Sequence, residues 1–230
     1  MKETSLFKDK THYGIDNVVS KKWSSSRNSI KDLYKSEKYF FLRKLKESNS
    51  FLDLGCAAGG FYKIIKRYKK SFSYFGFDVS PSLIKIAKKK YKNGNFYKYN
   101  GKKIKILKKV DMAYSFGTLH HVKNYFSLIR QMLSLSKKYV LFDIRLTKKK
   151  TLIDKRKSYQ KIVINKKILS KINYNIINNN DFIKTLNKIT GKYKVSFYKY
   201  NHKVNKSVIT KYKKVDMTAV LIDKTVEIKS

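Results

Sequence analysis

The chain has 230 residues, enough for one domain with a sizeable core, and its 42% apolar content excludes an intrinsically disordered chain. No apolar run approaches the roughly 20 residues that a membrane-spanning helix needs, and the opening MKETSLFKDK does not resemble a secretory signal. The single cysteine, Cys56, excludes an internal disulfide, so a reduced, cytoplasmic protein is expected.

The formal net charge of +40 predicts attraction to anionic partners, nucleic acid included. Only six of the 55 basic residues are arginine, however, and the lysines are spread along the whole chain. Lysine, asparagine, isoleucine, tyrosine and phenylalanine share A/T-rich codons, so genome base composition can account for most of the excess. A nucleic-acid partner is therefore considered but not favoured.

Apolar spacing predicts strands that alternate with helices. After a serine-rich loop over Ser20–Ser29, a helix is expected over Ile30–Glu47. The predicted strands are Phe51–Leu54, Ser73–Phe77, Asn95–Asn100, Val110–Phe116 and Lys138–Leu146, with helices starting near Phe61, Pro81 and Tyr125. This alternation predicts an α/β fold whose parallel sheet is covered on both faces.

The alternation stops after Thr147. Residues 148–180 are rich in lysine and asparagine, with apolar islands between them. A helix is expected over Asp181–Thr190, ending at Gly191, and Lys194–Tyr200 and Asp216–Asp223 are the last predicted strands.

The turn after the first strand concentrates small residues in the run GCAAGG, from Gly55 to Gly60. Such a turn, at the carboxyl end of a parallel strand and before a helix, is a typical ligand site. Read as G-x-A-x-x-G it is a loose dinucleotide fingerprint, and read as D-x-G-x-x-x-G from Asp53 it is a loop typical of S-adenosylmethionine binding. Asp78, at the end of the second strand, suits the ribose of either cofactor, so this unit alone leaves both open.

Three motifs together resemble class I S-adenosylmethionine-dependent methyltransferases: FLDLGCAAGG, FGFDVS and VDMAYSFGTLHHV. The resemblance covers about residues 50–147 and the two final strands. It implies a Rossmann-like three-layer sandwich with a seven-stranded, mostly parallel sheet whose last strand is antiparallel. A nicotinamide enzyme would need a second mononucleotide-binding half, and the glycine turn is not repeated.

The resemblance also implies that S-adenosylmethionine is the cofactor. Asp53 would orient the loop and the methionine end, Asp78 would hold the ribose, and Val79 would lie against the adenine. Asn100 stands where the family often has an aspartate that reads the adenine amino group. The full set of expected cofactor residues is Asp53, Gly55, Cys56, Ala57, Gly59, Asp78, Val79, Asn100, Gly101, Ser115 and Phe116.

His120 is the candidate general base, because it follows the fourth strand near the expected methyl group and can titrate near neutrality. A turn-packing role is the competing interpretation for His120 and for His121. Asp143 and Arg145 could touch the substrate, although an ion pair is the simpler interpretation. No cluster of metal ligands is found, and Trp23 and Tyr34 are either lid or core residues.

Motifs that the sequence lacks exclude some classes of methyl acceptor. The only proline, Pro81, lies outside the fourth strand, so the Pro-Pro motif of amino-methylating nucleic-acid enzymes is missing, and one cysteine excludes a three-cysteine iron–sulfur centre. The expected function is methyl transfer to O, N or C of a small molecule or a cell-surface precursor. The alternatives are an RNA methyltransferase and an inactive, methyltransferase-like binding module.

The expected organisation is a single domain in four parts. Residues 1–49 form an N-terminal helical or lid segment, and residues 50–147 form the cofactor-binding core. Residues 148–193 form an insertion and helix that serve as a substrate lid, and residues 194–230 complete the sheet. Flanking segments commonly build the substrate pocket in such an architecture.

Overall fold

The computed structural model describes Ser20, residues 23–164 and residues 166–228, so the first 19 residues of the expected N-terminal segment lie outside the described part. The strands are β1 (Ser50–Leu54), β2 (Ser73–Asp78), β3 (Asn95–Lys98), β4 (Val110–Ser115), β5 (Ser136–Thr147), β6 (Tyr159–Ile164), β7 (Lys167–Asn173), β8 (Ile177–Asn178), β9 (Tyr193–Lys203), β10 (Val208–Ile209) and β11 (Lys214–Glu227). The helices are α1 (Lys35–Leu45), α2 (Gly60–Tyr68), α3 (Pro81–Lys90), α4 (Tyr125–Leu135) and α5 (Asn179–Thr190).

The main sheet has the strand order β3-β2-β1-β4-β5-β11-β9. The neighbours from β3 to β5 are parallel, whereas β11 runs antiparallel to both β5 and β9. The short strand β8 extends the sheet beside the end of β5. The predicted seven-stranded sheet with an antiparallel last strand is thereby confirmed, with β8 as an addition.

Helices cover both faces of this sheet. Helices α1, α2 and α3 pack on one face around Phe41, Ile64 and Ala87. Helices α4 and α5 pack on the other face, where Met132 and Phe182 are fully buried. Each large apolar side chain buried in these layers stabilises the fold by about 1.5–3 kcal/mol. Within the described part, no helix has the length and apolar composition needed to cross a bilayer.

The prediction of one continuous helix over Ile30–Glu47 is wrong, because the helix is interrupted before Lys35. The chain forms a 3-10 turn over Ile30–Asp32, then an extended pair, Leu33 and Tyr34, before α1 begins at Lys35. Glu37 explains the break, because its carboxylate accepts the Tyr34 N–H at 2.9 Å and thereby caps a new helix start. Apolar spacing does not reveal that local bond.

A second sheet, not expected from the sequence, lies in the region after Thr147. Its three strands have the order β10-β6-β7, all antiparallel. Its buried residues Ile162 and Ile172 pack against Trp23 of the N-terminal segment. The lysine-rich insertion and the N-terminal segment therefore meet.

Candidate active site

A cavity of about 1280 Å³ opens at the carboxyl ends of the parallel strands. Single-ligand cavities usually measure about 300–1,000 Å³, so this volume can hold a nucleoside cofactor together with a second molecule. In the sheet order, β1 and β2 lie on one side of β4, and β5, β11 and β9 lie on the other. The cavity spans both sides, which gives it two halves.

The half beside β1 and β2 is formed by the glycine-rich turn. Gly55 has φ +89°, and a Cβ built on it would lie 2.1 Å from Thr118 Oγ1, so the position requires glycine. Ala57 also has a positive φ, +47°, at a cost of about 1–2 kcal/mol for a residue with a side chain. Its N–H donates to Asp78 Oδ2 at 2.9 Å, which offsets part of that cost.

Asp78 joins the turn to the start of α3. Its Oδ2 accepts from Ala57, and its Oδ1 accepts the Ser80 N–H at 2.9 Å. A carboxylate accepts hydrogen bonds and donates none, so it is a suitable group for the hydroxyl donors of a ligand. Asp78, Val79 and Ser80 all line the cavity.

Asp53 does not line the cavity. Its side chain is buried, and the Tyr74 hydroxyl donates to its Oδ2 at 2.6 Å. Burial raises the pKa of Asp53 from 3.8 to about 7, against the opposing effect of the Tyr74 hydrogen bond. Asp53 therefore supports the turn from behind.

The structure brings together half of the predicted site residues. The cavity wall includes Gly55, Ala57, Asp78, Val79, Phe116 and His120. The predicted residues outside the wall are Asp53, Cys56, Gly59, Asn100, Gly101 and Ser115. The Ser115 hydroxyl donates to the Leu54 carbonyl at 2.8 Å, and Asn100 is exposed, with its Oδ1 accepting the Lys102 N–H. Burial raises the pKa of the Cys56 thiol well above its usual range, so this thiol is unreactive.

His120 lies on a 3-10 turn, Leu119–His121, directly after β4. It is 4% exposed, and its Nδ1 is buried without a hydrogen-bond partner among the residues that the structure describes. Burial, and then the positive charge of Arg145, hold the pKa of His120 well below 6.5. His120 is therefore a neutral imidazole at pH 7, able to accept a proton from a bound molecule.

A buried ion pair lies beside this turn. Arg145 Nη1 donates to Asp143 Oδ2 at 2.5 Å, and Asp143 Oδ1 accepts the Gly117 N–H at 2.6 Å. Arg145 also interacts with the Tyr174 hydroxyl and lines the cavity, while its Nε is buried and has no partner in the described part of the chain. The ion pair expected from the sequence exists, and its arginine belongs to the wall.

A second arginine, Arg27, packs against Gly117. A Cβ on Gly117 would meet Arg27 Nη2 at 2.2 Å, so the glycine makes room for the guanidinium. Arg27 is held by Glu37, with Nη2 to Oε1 at 2.6 Å. Each arginine near the cavity thus has its own carboxylate partner.

The other half of the cavity is lined by segments far apart in the chain. They are the N-terminal segment, the second sheet and the ends of β9 and β11, which contribute Trp23, Tyr34, Gln160, Ile172, Tyr174, His202 and Met217. Sequence reasoning missed Arg27, Tyr99, Tyr174 and His202. Only Tyr99 had a usable signal, since it stands next to Asn100 at the end of a predicted strand.

A family model described as a methyltransferase domain matches residues 27–162, more than half of the chain. The chain belongs to the methyltransferase-domain family. The family and the fold predicted from the three motifs are thereby confirmed.

The individual relatives of this chain are distant in sequence. A putative methyltransferase, 235L, of Invertebrate iridescent virus 6 is 29% identical over 128 residues, which is 51% of this chain and 46% of the relative. The match thus spans about half the length of that curated relative.

Solved structures share the fold. The N-terminal domain of EvdMO1, crystallised in the presence of SAH and D-fucose, has a TM-score of 0.61 and 12% identity over 96% of this chain and 100% of that one. An O-methyltransferase of Brevibacillus brevis in complex with S-adenosyl-L-homocysteine has a TM-score of 0.57 and 12% identity over 86% and 63% of the two chains.

Proposed function

We propose that this methyltransferase transfers a methyl group from S-adenosylmethionine to a small molecule bound in the same cavity. The observation that carries the proposal is the continuity of one cavity from Asp78 to His120 and Arg145. The similar structures of EvdMO1 and of the Brevibacillus enzyme were obtained with S-adenosylhomocysteine, the demethylated form of this donor, which supports the choice of cofactor.

The half beside β1 and β2 fits a nucleoside donor. Gly55 and Ala57 bring the main chain close to the cavity, and Asp78 offers carboxylate oxygens to ribose hydroxyls. Val79 and Leu83 offer apolar contacts to a base, and Phe116 offers an aromatic face to a sulfonium. The donor supplies an electrophilic methyl group, so the task of the protein is to align it with a nucleophile and to exclude water.

The remaining half is proposed as the acceptor site, with residues 148–193 and the N-terminal segment as its cover. Trp23 packs on Ile162 and Ile172, so the N-terminal segment and residues 148–193 contact each other beside the cavity. Asp53, Cys56, Gly59 and Ser115 are proposed to shape the turn from behind, without touching the cofactor. A contact of Asn100 with the adenine and a contact of Gly101 with the cofactor remain predictions.

An RNA acceptor is the second candidate, and its support is the net charge of +40. The cavity argues against it, because Lys123 is the one lysine in the wall formed by the described residues. The basic residues thus face solvent more than they face the site. Nucleic acids are bound mainly through contacts of lysine and arginine with their phosphates.

The test uses the full chain. Calorimetry should show binding of S-adenosylhomocysteine, and incubation with methyl-labelled donor and a small-molecule extract should give labelled products of low mass. The same incubation with total RNA should leave the RNA unlabelled at any salt concentration. Absence of cofactor binding would disprove the proposal, and cofactor binding without transfer to any acceptor would favour an inactive binding module.

A further inference from the structure

We propose that one face of the second sheet docks on the surface of an anionic lipid bilayer. Side chains at successive positions of a strand point to opposite sides of a sheet, so β6 and β7 present two faces. The inner face adjoins the cavity, where Gln160 and Ile172 line the wall and Ile162 is fully buried. The outer face, on the opposite side, consists of Tyr159, Lys161, Val163, Ile168, Lys171 and Ile209.

Three cross-strand pairs form this outer face. Along β6 they are Ile209–Tyr159, Lys161–Lys171 and Val163–Ile168. Directly opposed residues of antiparallel strands share one face, so the two members of each pair lie together on the outer side. The outer face therefore has an apolar or aromatic pair at each end and two lysines between them.

The apolar side chains at both ends are open to solvent. Ile168 is 52% exposed and Ile209 is 39% exposed, and both belong to strands of this small sheet. Burial of an exposed isoleucine is favourable in proportion to the apolar area that is removed from water. A partner with an apolar layer would bury both side chains, which a polyanion dissolved in water cannot do.

The two lysines between these ends favour an anionic partner. Lys161 and Lys171 are like charges at directly opposed positions, which destabilises the pairing of β6 with β7. Neither lysine forms an ion pair with another described residue. The sequence also has seven basic residues and no acidic one between Asp154 and Asp181. Anionic groups from outside the hairpin would therefore relieve the repulsion.

Isoleucine beside lysine favours a bilayer over a nucleic acid. Lysines near a bilayer attract anionic lipid headgroups, while apolar side chains enter the boundary with the acyl chains. Single-stranded nucleic acids instead stack their bases on open aromatic faces. The only aromatic ring of the outer face, that of Tyr159, has the Lys171 ammonium over it, 4.9 Å from the ring centroid.

Docking by the outer face leaves the inner face of the sheet in place. Since Gln160 and Ile172 remain in the cavity wall, bilayer binding would hold the proposed acceptor half next to the lipid surface. Bilayer binding does not depend on the proposed methyl transfer, so the two activities can be measured separately.

The first experiment tests the apolar ends of the outer face. The full chain is sedimented with vesicles of phosphatidylcholine alone and of phosphatidylcholine mixed equally with phosphatidylglycerol, and the wild type should bind only the anionic vesicles. Ile168→Ser/Ile209→Ser should lower the partition coefficient for anionic vesicles at least about tenfold. Tyr68→Ser/Leu107→Ser is the matched control, because it removes two side chains that are even more exposed, and it should stay within about twofold of the wild type.

The second experiment tests the lysine pair. Lys161→Gln/Lys171→Gln should also lower the partition coefficient at least about tenfold, as expected for two lysines at an anionic surface. Its free energy of unfolding should equal or exceed the wild-type value, because the opposed charges are gone. Lys66→Gln/Lys70→Gln removes the same charge from exposed positions near the end of α2, and its partition coefficient should stay within about twofold of the wild type.

Three results would overturn the proposal. One is the absence of wild-type binding to anionic vesicles, and another is an equal loss in a control variant, which would show that net charge or any exposed apolar side chain is enough. The third concerns a single-stranded oligonucleotide, which Ile168→Ser/Ile209→Ser should bind as the wild type does. If that variant loses oligonucleotide binding and keeps vesicle binding, the partner is a nucleic acid. If either the isoleucine or the lysine variant does not fold, the other still decides.

Discussion

The side-chain amide of Asn175 donates to the main-chain carbonyl of Val122 at 2.8 Å. The Asn175 main-chain N–H also donates to the His120 carbonyl at 2.7 Å. A third bond joins His121 Nδ1 to the Asn173 carbonyl at 2.5 Å, and since a carbonyl only accepts, this nitrogen carries the proton. The segment after β7 thus fixes the turn that presents His120.

Asn175→Ala removes the bond to Val122 and leaves a buried carbonyl unpaired. We expect a loss of about 1–3 kcal/mol in the free energy of unfolding and a fall in kcat of about tenfold or more from misplacement of His120. Steady-state kinetics and S-adenosylhomocysteine calorimetry check this together, because cofactor affinity should stay near wild type. Asn187→Ala, on the exposed side of α5, is the control, and an equal kcat in both variants would contradict the positioning role.

Asp78→Asn tests the ribose contact. The amide keeps the shape and one acceptor oxygen but loses the charge, and it can no longer accept from both Ala57 and Ser80. We expect the calorimetric affinity for S-adenosylhomocysteine to fall at least about tenfold. Asp111→Asn is the control. Asp111 lies near the start of β4, and its carboxylate likewise accepts a main-chain N–H, that of Asn49. This variant should bind S-adenosylhomocysteine with wild-type affinity. Unchanged affinity in Asp78→Asn would refute the assignment.

His120→Asn tests the general base. The rate should drop about 100-fold or more, as for loss of a positioned base, while cofactor affinity is retained. In the wild type the base works only when neutral, and its pKa lies well below 6.5. The acid limb of the kcat profile should therefore appear only at a pH below the ordinary histidine range. A limb centred at or above 6.5 would show that another group titrates.

Asp53 gives a prediction about stability. Its folded-state pKa of about 7 lies above the unfolded value of 3.8, so the folded state binds the extra proton between these limits. The stabilisation of the folded state by this proton is fully present below pH 3.8 and is lost as the pH rises through 7. Relative to Asp53→Asn, the wild type should lose about 2.6 kcal/mol of unfolding free energy between pH 5 and 8. Urea denaturation at both values measures this difference, and a constant difference would exclude the raised pKa.

The half of the cavity that is proposed to hold the cofactor was predictable because it is local in sequence. Gly55, Ala57 and Asp78 belong to one strand–turn–helix–strand unit, and their spacing reflects the backbone of that unit. Tyr174 and His202 were not predictable, because they reach the cavity only through the second sheet and the pairing of β9 with β11. The break at Leu33 and Tyr34 was missed for a similar reason, since it depends on the side chain of Glu37.

The division of the cavity between distant segments has an evolutionary consequence. The residues proposed to hold the donor lie between the end of β1 and the turn after β4, whereas Trp23, Gln160 and Tyr174 come from segments outside that stretch. If those outer segments form the proposed acceptor site, substitutions or length changes in them would change the acceptor without altering donor binding. New specificities are therefore reachable from this scaffold by mutations that leave its core intact.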